Sequence, residues 1–546
     1  MTATTVNQVL LSREEDDRPA LLVEDRSWSY RELVREGRRR AAIFRQLIEP
    51  GQAPHIGVLL ENVPEYFFWL TGAALSGAVV VGINSTYRGA QLEQLISYTD
   101  CRMVVTSADM RHLIDGLDLG PANQDVIDVD SLEFRDRLDI EPFRARPAIA
   151  DDDLFLLIFT SGSTGLPKAV RCTQGRFART GDHVAGVIPL TPEDVVYSPL
   201  PFFHTSSLFT GWSSALSAGV PIATRRRFSA SQTLGDLRRY HATVLTYTGK
   251  VLNYILAVPE GRDDADNQLK MAMGNEASPR DIVEFARRFD CRVSDAYGST
   301  EGIIIIRRDP SMPMGALGKP AGDSLTVKVL DPGTGRECPV AEFDESGKVV
   351  NLDVAVGEIV ETKPTTSFEG YYKNEAATTT RFRGGCYWSG DLAYRDRDGW
   401  FYFAGRSNEW LRVDGENFAA APVEAIICRH PAVRTVAVYA VPDDPVGDRV
   451  MASIEVADGH SSDVPDIDPT KFDAFLASQT DLGPKWVPSF VRFVPELPKL
   501  ASMKIDRQRL RREAWEHDDV WWRPGRGSSL VRLQESDRER LRHLLP

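Results

Sequence analysis

The sequence predicts an α/β protein whose C-terminal part is mixed α+β. Three observations carry this. Strand and helix signals alternate over the first two-thirds of the 546 residues. After about Glu301 the alternation gives way to short strands between Gly- and Asp-rich turns. Past Gly405 a compact new unit begins, with strands and a helix of its own. The early alternation argues for βαβ units on a largely parallel sheet.

Each element has a local reason. Ala20 to Val23 reads as a short strand. Ser29-Tyr-Arg-Glu32 fits a capping box, in which the Ser hydroxyl and the later carboxylate satisfy free amides at a helix start, so a helix should run to about Gln46. His55 to Leu60 is an apolar strand, and Val63 to Gly77 a helix. Ala78 to Ile83 reads as a buried strand, Arg88 to Thr99 as a helix and Arg102 to Thr106 as a strand. Leu325 to Leu330, Gly357 to Thr362 and Trp400 to Phe403 form a smaller β-rich module. A domain junction is expected near Arg406 to Glu409. Beyond it, Val433 to Val441, Val450 to Val456 and Phe490 to Val494 look like strands, and Lys471 to Gln479 like a helix. The tail from Asp518 is charged but carries Trp521, Trp522 and Leu530, so it should dock. No repeat of solenoid period is visible.

Composition narrows the class. At roughly 150 residues per domain the length suggests three or four domains. Hydrophobic residues are 42% and charged residues 26%, an ordinary globular balance. Lys+Arg is 64 and Asp+Glu is 78, a formal charge of −14. So acidic a chain is poorly suited to coating nucleic acid. The six cysteines include no CxxC pair, so neither a zinc ribbon nor a disulfide framework is implied, and a reducing compartment fits best. Leu70 to Ile83, the most apolar long stretch, is broken by glycines and falls short of the ~20 residues needed to cross a bilayer. A basic start followed by an apolar run is absent, so no signal peptide is expected and a cytoplasmic location is.

The strongest local signal is Leu156-Leu-Ile-Phe-Thr-Ser-Gly-Ser-Thr-Gly-Leu-Pro-Lys-Ala-Val170. A buried strand opens into a loop with hydroxyls on Thr160, Ser161, Ser163 and Thr164, glycines at 162 and 165, and one cation, Lys168. Glycines let backbone amides approach phosphate oxygens, hydroxyls donate to them, and the lysine adds charge. The spacing from Gly165 to Lys168 and the alanine at 169 exclude a Walker A loop.

This loop resembles the phosphate-binding motif of the adenylate-forming superfamily, which includes acyl-CoA synthetases, luciferase and peptide-synthetase adenylation domains. Further segments resemble that family's motifs in the same order. In Asp295-Ala-Tyr-Gly-Ser-Thr-Glu301, the resemblance implies that Tyr297 stacks on adenine, Thr300 contacts the α-phosphate and Glu301 holds Mg²⁺, with Asp295, Gly298 and Ser299 in the same nucleotide site. Gly274, Asn275 and Glu276 match the stretch lining the adenine pocket. Asp391 in Ser389-Gly-Asp-Leu matches the carboxylate that binds both ribose hydroxyls, and Arg406 the nucleotide-contacting arginine at the domain junction. Lys504 in Leu497-Pro-Lys-Leu-Ala-Ser-Met-Lys-Ile-Asp matches the catalytic lysine. Lys168-Ala169, Met273-Gly-Asn-Glu, Tyr247-Thr-Gly-Lys-Val-Leu-Asn-Tyr-Ile-Leu and Asp414-Gly-Glu-Asn-Phe are similar to the fatty acid transport protein and very-long-chain acyl-CoA synthetase branch. Two positions depart from the family pattern. Asn408 stands at the hinge, usually Asp or Lys, and Met503 replaces the glycine before the catalytic lysine.

The resemblance covers nearly the whole chain. It implies an N-terminal AMP-binding domain, 1–406, built of two αβ-layered subdomains plus a small β-barrel-like module, and a small mobile C-terminal α+β domain, 407–546. Pro199-Leu-Pro-Phe-Phe-His204 lies where the family builds its acyl pocket. The stretch has no carboxylate to pair with an amino acid's ammonium, which favours a plain apolar acid. His204 either gates or orients the substrate carboxylate or is a structural histidine. Gly415 matches the glycine beside the pantetheine tunnel, or is a turn glycine. Arg38 to Arg40 and Arg225 to Arg227 are either solvated faces or contacts for the CoA 3′-phosphate.

The implied activity is an ATP-dependent CoA ligase for a long- or very-long-chain fatty acid. It uses ATP, Mg²⁺ and coenzyme A and works through an acyl-adenylate, with Lys504, Lys168, Thr300, Glu301 and His204 as its catalytic candidates. Three alternatives stay open: loading of a carrier protein's phosphopantetheine; a CoA ligase for another apolar acid, whether aryl, alicyclic or a steroid side chain; and a binding protein that has lost the chemistry. The sequence does not give the oligomeric state, a homodimer being one option.

Overall fold

The computed structural model describes residues 4–542 except 161–167, 250, 309–311, 314, 322–325, 346–348, 365–367, 407–409, 414–415, 444–446, 457–466, 480–481, 484, 501–503 and 526; the side chains of 353, 406, 410, 412, 416–419, 443 and 447 also lie outside the description. The chain groups into two compact units. The first comprises Met1–Ile305 with Thr365–Thr380, and the second Ile306–Pro364 and Arg381–Leu500 with Lys504–Pro546.

The first unit carries two sheets, each fed by crossover helices, as the alternation predicted. In one, the strand order is Val126–Asp128, Cys101–Thr106, His55–Leu59, Val79–Gly82, Leu154–Thr160, Lys168–Thr173. Every pair is parallel except the last, a hairpin. In the other, the order runs Arg292–Tyr297, Met271–Asn275, Val244–Thr248, Val196–Tyr197, Ile222–Thr224, Pro19–Val23, Arg26–Ser29, with only the last pair antiparallel. The strands that are buried along their whole length, such as His55–Leu59, read as near-continuous apolar runs because helices cover both faces.

The capping box forms as expected. Glu32 N–H donates to Ser29 Oγ at 3.2 Å and Ser29 N–H to Glu32 Oε2 at 2.9 Å, opening the helix Tyr30–Leu47. The next helix, Pro64–Ser76, buries every residue but Glu65 and ends on Gly77 in the left-handed region, φ 76°. The two helices approach through glycines. A Cβ on Gly37 would lie 2.5 Å from Thr71 Cγ2, and one on Gly72 2.7 Å from Gly37 O. Their seam encloses Arg40, whose guanidinium binds Glu36 at 2.5 Å and also Glu65.

In the second unit, Val327–Leu330, Gly357–Glu361, Cys386–Arg395 and Phe382–Arg383 form an antiparallel sheet, with Phe401–Arg406 also on Cys386–Arg395. This corrects the barrel-like expectation. Closure needs the first and last strands to pair around a tilted ring, and among the described strands the edge strand Val327–Leu330 pairs with Gly357–Glu361 alone. Past the junction, Val433–Asp443, Gly447–Val456, Phe490–Val494, Val520–Trp522 and Val531–Arg532 form a second sheet in that order. Apolar clusters pack on both its faces. The tail docks because Trp522 joins one of them, stacked 6.0 Å from Phe490, and Leu530 and Trp521 join the other. Among the described residues no helix is long and apolar enough to cross a membrane.

Candidate active site

The lysine of the phosphate-type loop is fixed by a hairpin. Strand Leu154–Thr160 pairs antiparallel with Lys168–Thr173, and Thr160 stands opposite Lys168 with its hydroxyl 3.5 Å from Lys168 O. The connecting residues Ser161, Gly162, Ser163, Thr164 and Gly165 lie outside the described residues. The Lys168 ammonium sits 5.4 Å from the centroid of the Tyr371 ring, a cation–π distance.

The purine-type residues emerge at the carboxyl ends of parallel strands, the edge where open α/β sheets bind ligands. Gly274 and Asn275 end Met271–Asn275, and Tyr297 ends Arg292–Tyr297. Neighbouring groups hold these ends. Thr248 Oγ1 donates to Asn275 Oδ1 at 2.6 Å. Asp295 is buried, and its Oδ2 accepts from Tyr247 Oη at 2.9 Å and from Ala277 N–H at 3.0 Å. Asp295 thus ties the strand ends together. Glu276 is exposed at φ 64°, turning the chain sharply after the strand. Tyr297, Ser299 and Thr300 are half-buried, and Gly298 is exposed.

Thr300 and Glu301 are held from three sides. Thr205 Oγ1 and Thr300 Oγ1 are 2.8 Å apart. The buried guanidinium of Arg176 donates to Thr300 O at 2.5 Å, Glu301 O at 3.0 Å and Arg171 O at 2.7 Å. Tyr371 Oη donates to Glu301 Oε1 at 2.5 Å. Arg176 is itself placed by a helix cap. Its N–H binds Thr173 Oγ1 at 3.1 Å, and Thr173 donates from its N–H and its hydroxyl to Glu369 at 2.7 and 2.6 Å. A single carboxylate suits magnesium, which binds one or two protein carboxylates together with substrate phosphates rather than a full protein cage. No group of three or more His, Cys, Asp or Glu that could hold a metal occurs among the described residues.

The stretch Pro199 to His204 is clamped by Asn62. Its Nδ2 donates to Pro199 O at 3.3 Å and Leu200 O at 3.0 Å, while its Oδ1 accepts from Phe202 N–H at 3.3 Å. Phe202 turns into the core, its ring 4.5 Å from that of Phe67, and Phe203 is also buried. His204 is half-buried, 6.1 Å from the Phe203 ring. A π-helix, Ser206–Ser213, follows at once. Such widened turns often mark functional sites.

In the second unit, Asp391 and Arg406 are direct cross-strand partners, although fifteen positions separate them in sequence. Asp391 N–H binds Ser389 Oγ at 3.1 Å. Gly390, φ 76°, donates its N–H to Glu358 Oε1 at 2.6 Å. Burial pushes the Glu358 carboxyl above its ordinary range. Lys504 is half-buried; its carbonyl accepts from Leu500 N–H at 2.8 Å, and Asp506 N–H binds Pro498 O at 2.8 Å. Gly415 and Asn408, and the side chain of Arg406, lie outside the description.

Four residues had escaped sequence reasoning: Thr205, Arg176, Tyr371 and Asn62. Arg176 and Asn62 act on backbone carbonyls, which leave no side-chain signature. Tyr371 had a faint one, as an aromatic pair after Gly370.

Residues 10–372 match the AMP-binding enzyme family, and residues 422–504 the AMP-binding enzyme C-terminal domain. The chain is 45% identical over 528 residues to steroid-22-oyl-CoA synthetase of Rhodococcus jostii, covering 96% of this chain and 94% of that one. It is 43% identical over 523 residues to the medium/long-chain-fatty-acid–CoA ligase FadD17 of Mycobacterium tuberculosis, covering 95% and 99%. Among solved structures, ATP-bound MatB from Rhodopseudomonas palustris superposes with a TM-score of 0.80 at 23% identity, covering 94% and 98%, and shows the shared fold. The chain therefore belongs to the AMP-binding enzyme family, as an acid–thiol ligase of the acyl-CoA synthetase type that uses a carboxylic acid, ATP and CoA.

Proposed function

We propose that this enzyme activates a large apolar carboxylic acid, a medium- to long-chain fatty acid, as its CoA thioester. The observation that carries the reading is near-full-length identity of 43% to a medium/long-chain-fatty-acid–CoA ligase. The acyl stretch Pro199 to His204 and the helix Ser206–Ser213 that follows it carry no acidic side chain, which supports an apolar acid. A steroid side-chain acid is the second reading, favoured by 45% identity to a steroid-22-oyl-CoA synthetase.

In the first half-reaction a carboxylate oxygen of the acid attacks the α-phosphorus of ATP. The bond to the bridging oxygen breaks, and pyrophosphate leaves. Tyr297 and the Gly274 to Glu276 stretch receive the purine, Asp391 the ribose diol, Arg406 the nucleotide at the junction, and Thr300 an α-phosphate oxygen. Lys168, Lys504 and the amides and hydroxyls of residues 160–165 stabilise the developing negative charge. Glu301 would hold magnesium together with the phosphates, and the ion would supply further positive charge there. His204 orients the acid. The domain of residues 407–546 then turns about Asn408, withdraws Lys504 and presents the face around Gly415. The CoA sulfur attacks the acyl carbonyl carbon, its proton passes to solvent, and AMP leaves. Cys101, Cys172, Cys291, Cys338 and Cys386 are free thiols, which supports a reducing, cytoplasmic setting.

A panel of fatty, aryl and steroid side-chain acids, read by AMP and thioester formation, tests the substrate. Fatty-acyl turnover with CoA is expected. Turnover of the steroid acid alone selects the second reading, and transfer to a carrier protein but not to CoA overturns the acceptor. Failure of every acid to drive pyrophosphate exchange overturns the activity.

A further inference from the structure

Tyr371 meets two candidate catalytic charges with different parts of one side chain. Its hydroxyl is 2.5 Å from Glu301 Oε1, and its ring centroid lies 5.4 Å from the Lys168 ammonium. A carboxylate only accepts, so the phenol donates. That bond is short because the acceptor is charged. It fixes the rotation of the carboxylate, with Oε1 turned to Tyr371.

The tyrosine is built in rigidly. It is 4% exposed, and Glu301 is 6% exposed. Its N–H donates to Thr378 Oγ1 at 3.0 Å, and the Phe368 ring packs edge-on 5.0 Å away. The main chain around it runs beside the Lys168–Thr173 strand. Val170 bridges Tyr371, Arg171 N–H binds Gly370 O at 3.1 Å, and Tyr372 N–H binds Ala169 O at 2.8 Å. The strand that carries Lys168 therefore also sets the position of Tyr371. The same strand leads through the Thr173 cap to Arg176, which pins the Thr300 and Glu301 carbonyls. Glu301 is thus fixed at its main chain by Arg176 and at its carboxylate by Tyr371.

We propose that Tyr371 is a positioning residue of this active site, orienting the Glu301 carboxylate toward the metal of the bound nucleotide and seating Lys168 on its ring face. The inference rests on the reading of Glu301 as the metal-holding residue. A metal ligand oriented by an outer hydrogen bond loses about 10-fold or more in metal affinity when that partner is removed. Tyr371→Phe removes only the hydroxyl and keeps the ring under Lys168, so it separates the two roles.

The test is Mn²⁺ binding to the full-length protein with a non-hydrolysable ATP analogue, followed by the electron paramagnetic resonance signal of free Mn²⁺. Thermal melting of each variant is measured beside it. Tyr371→Phe should weaken Mn²⁺ binding about 10-fold at an unchanged melting temperature. In a Glu301→Gln background the same change should add less than about twofold, because the group it orients is no longer a charged ligand. Parent-like Mn²⁺ affinity in Tyr371→Phe, with a clear loss in Glu301→Gln, overturns this inference alone. Parent-like affinity in Glu301→Gln overturns the metal reading of Glu301 and the inference with it.

Discussion

Gly274→Ala is a small change with a large expected effect. Gly274 lies in Met271–Asn275, directly opposite Tyr247 on the parallel neighbour Val244–Thr248. A Cβ placed there would lie 2.1 Å from Tyr247 O and 2.7 Å from two carbons of its ring. Real Cβ contacts essentially never fall under 3.0 Å, so the strands must part by roughly 0.9 Å, the difference between 3.0 and 2.1 Å. Backbone hydrogen bonds of ~2.9 Å stretched that far no longer bond. Losing two of them at ~1 kcal/mol each, with an overpacking strain of about 1–3 kcal/mol, gives a cost of about 3–5 kcal/mol. That corresponds to about 5–7 °C in the melting of the first unit. The same shift displaces Asn275, so a fluorescent AMP analogue should bind at least about 10-fold more weakly, since misplacements near 1 Å cost up to about 100-fold in positioned reactions. Differential scanning calorimetry and analogue titration measure the two effects. A variant that melts with the parent and binds the analogue equally well would refute the argument that this strand pair requires glycine.

Three further outcomes follow from the site and its supports. Lys504→Ala should block pyrophosphate exchange while sparing thioester formation from supplied acyl-adenylate; equal loss of both half-reactions counts against the proposed division of labour. Asn62→Ala strips three backbone groups of the Pro199 to Phe202 turn of their partner, at about 1–3 kcal/mol. The KM for the acid should rise while that for ATP holds, as steady-state kinetics with each substrate varied will show. His55 is held below its usual pKa by burial, which outweighs the Thr99 carbonyl that accepts from its Nδ1 at 2.6 Å. The unfolded chain therefore takes up a proton near pH 6.5 that the folded chain refuses, so stability falls as pH drops through that region and is restored above it. Melting temperatures at pH 7.5 and 5.5 should differ less in His55→Gln than in the parent.

Much of the fold could be read from local pattern. The Ser29 and Glu32 box opened its helix at the expected residue, and Val63 to Gly77 differs from the observed helix only at its caps. Trp521, Trp522 and Leu530 of the tail dock as expected. These readings rest on periodicity and capping, which act within a turn or two of chain. The β-rich module was overread as barrel-like because closure depends on which strands pair at the ends, and short strands carry no signal for that. The wider turn of the π-helix Ser206–Ser213 follows from no local pattern of the sequence and shows only in the packed chain.

By itself the sequence determined the class of chemistry: hydroxyls, glycines and a lysine in one loop, an aromatic and a carboxylate in another, an aspartate, and a late lysine. Tertiary structure alone decided how those groups are held. Arg176 reaches carbonyls 124 and 125 positions away, and Tyr371 a carboxylate 70 positions away. Asp295, which sequence placed among the nucleotide contacts, accepts hydrogen bonds from Tyr247 and Ala277 and ties strand ends together. The physical reason is that a reactive group announces itself by its own side chain. Its orientation comes from donors and acceptors that are often main-chain atoms, identical at every position until the fold brings one of them near.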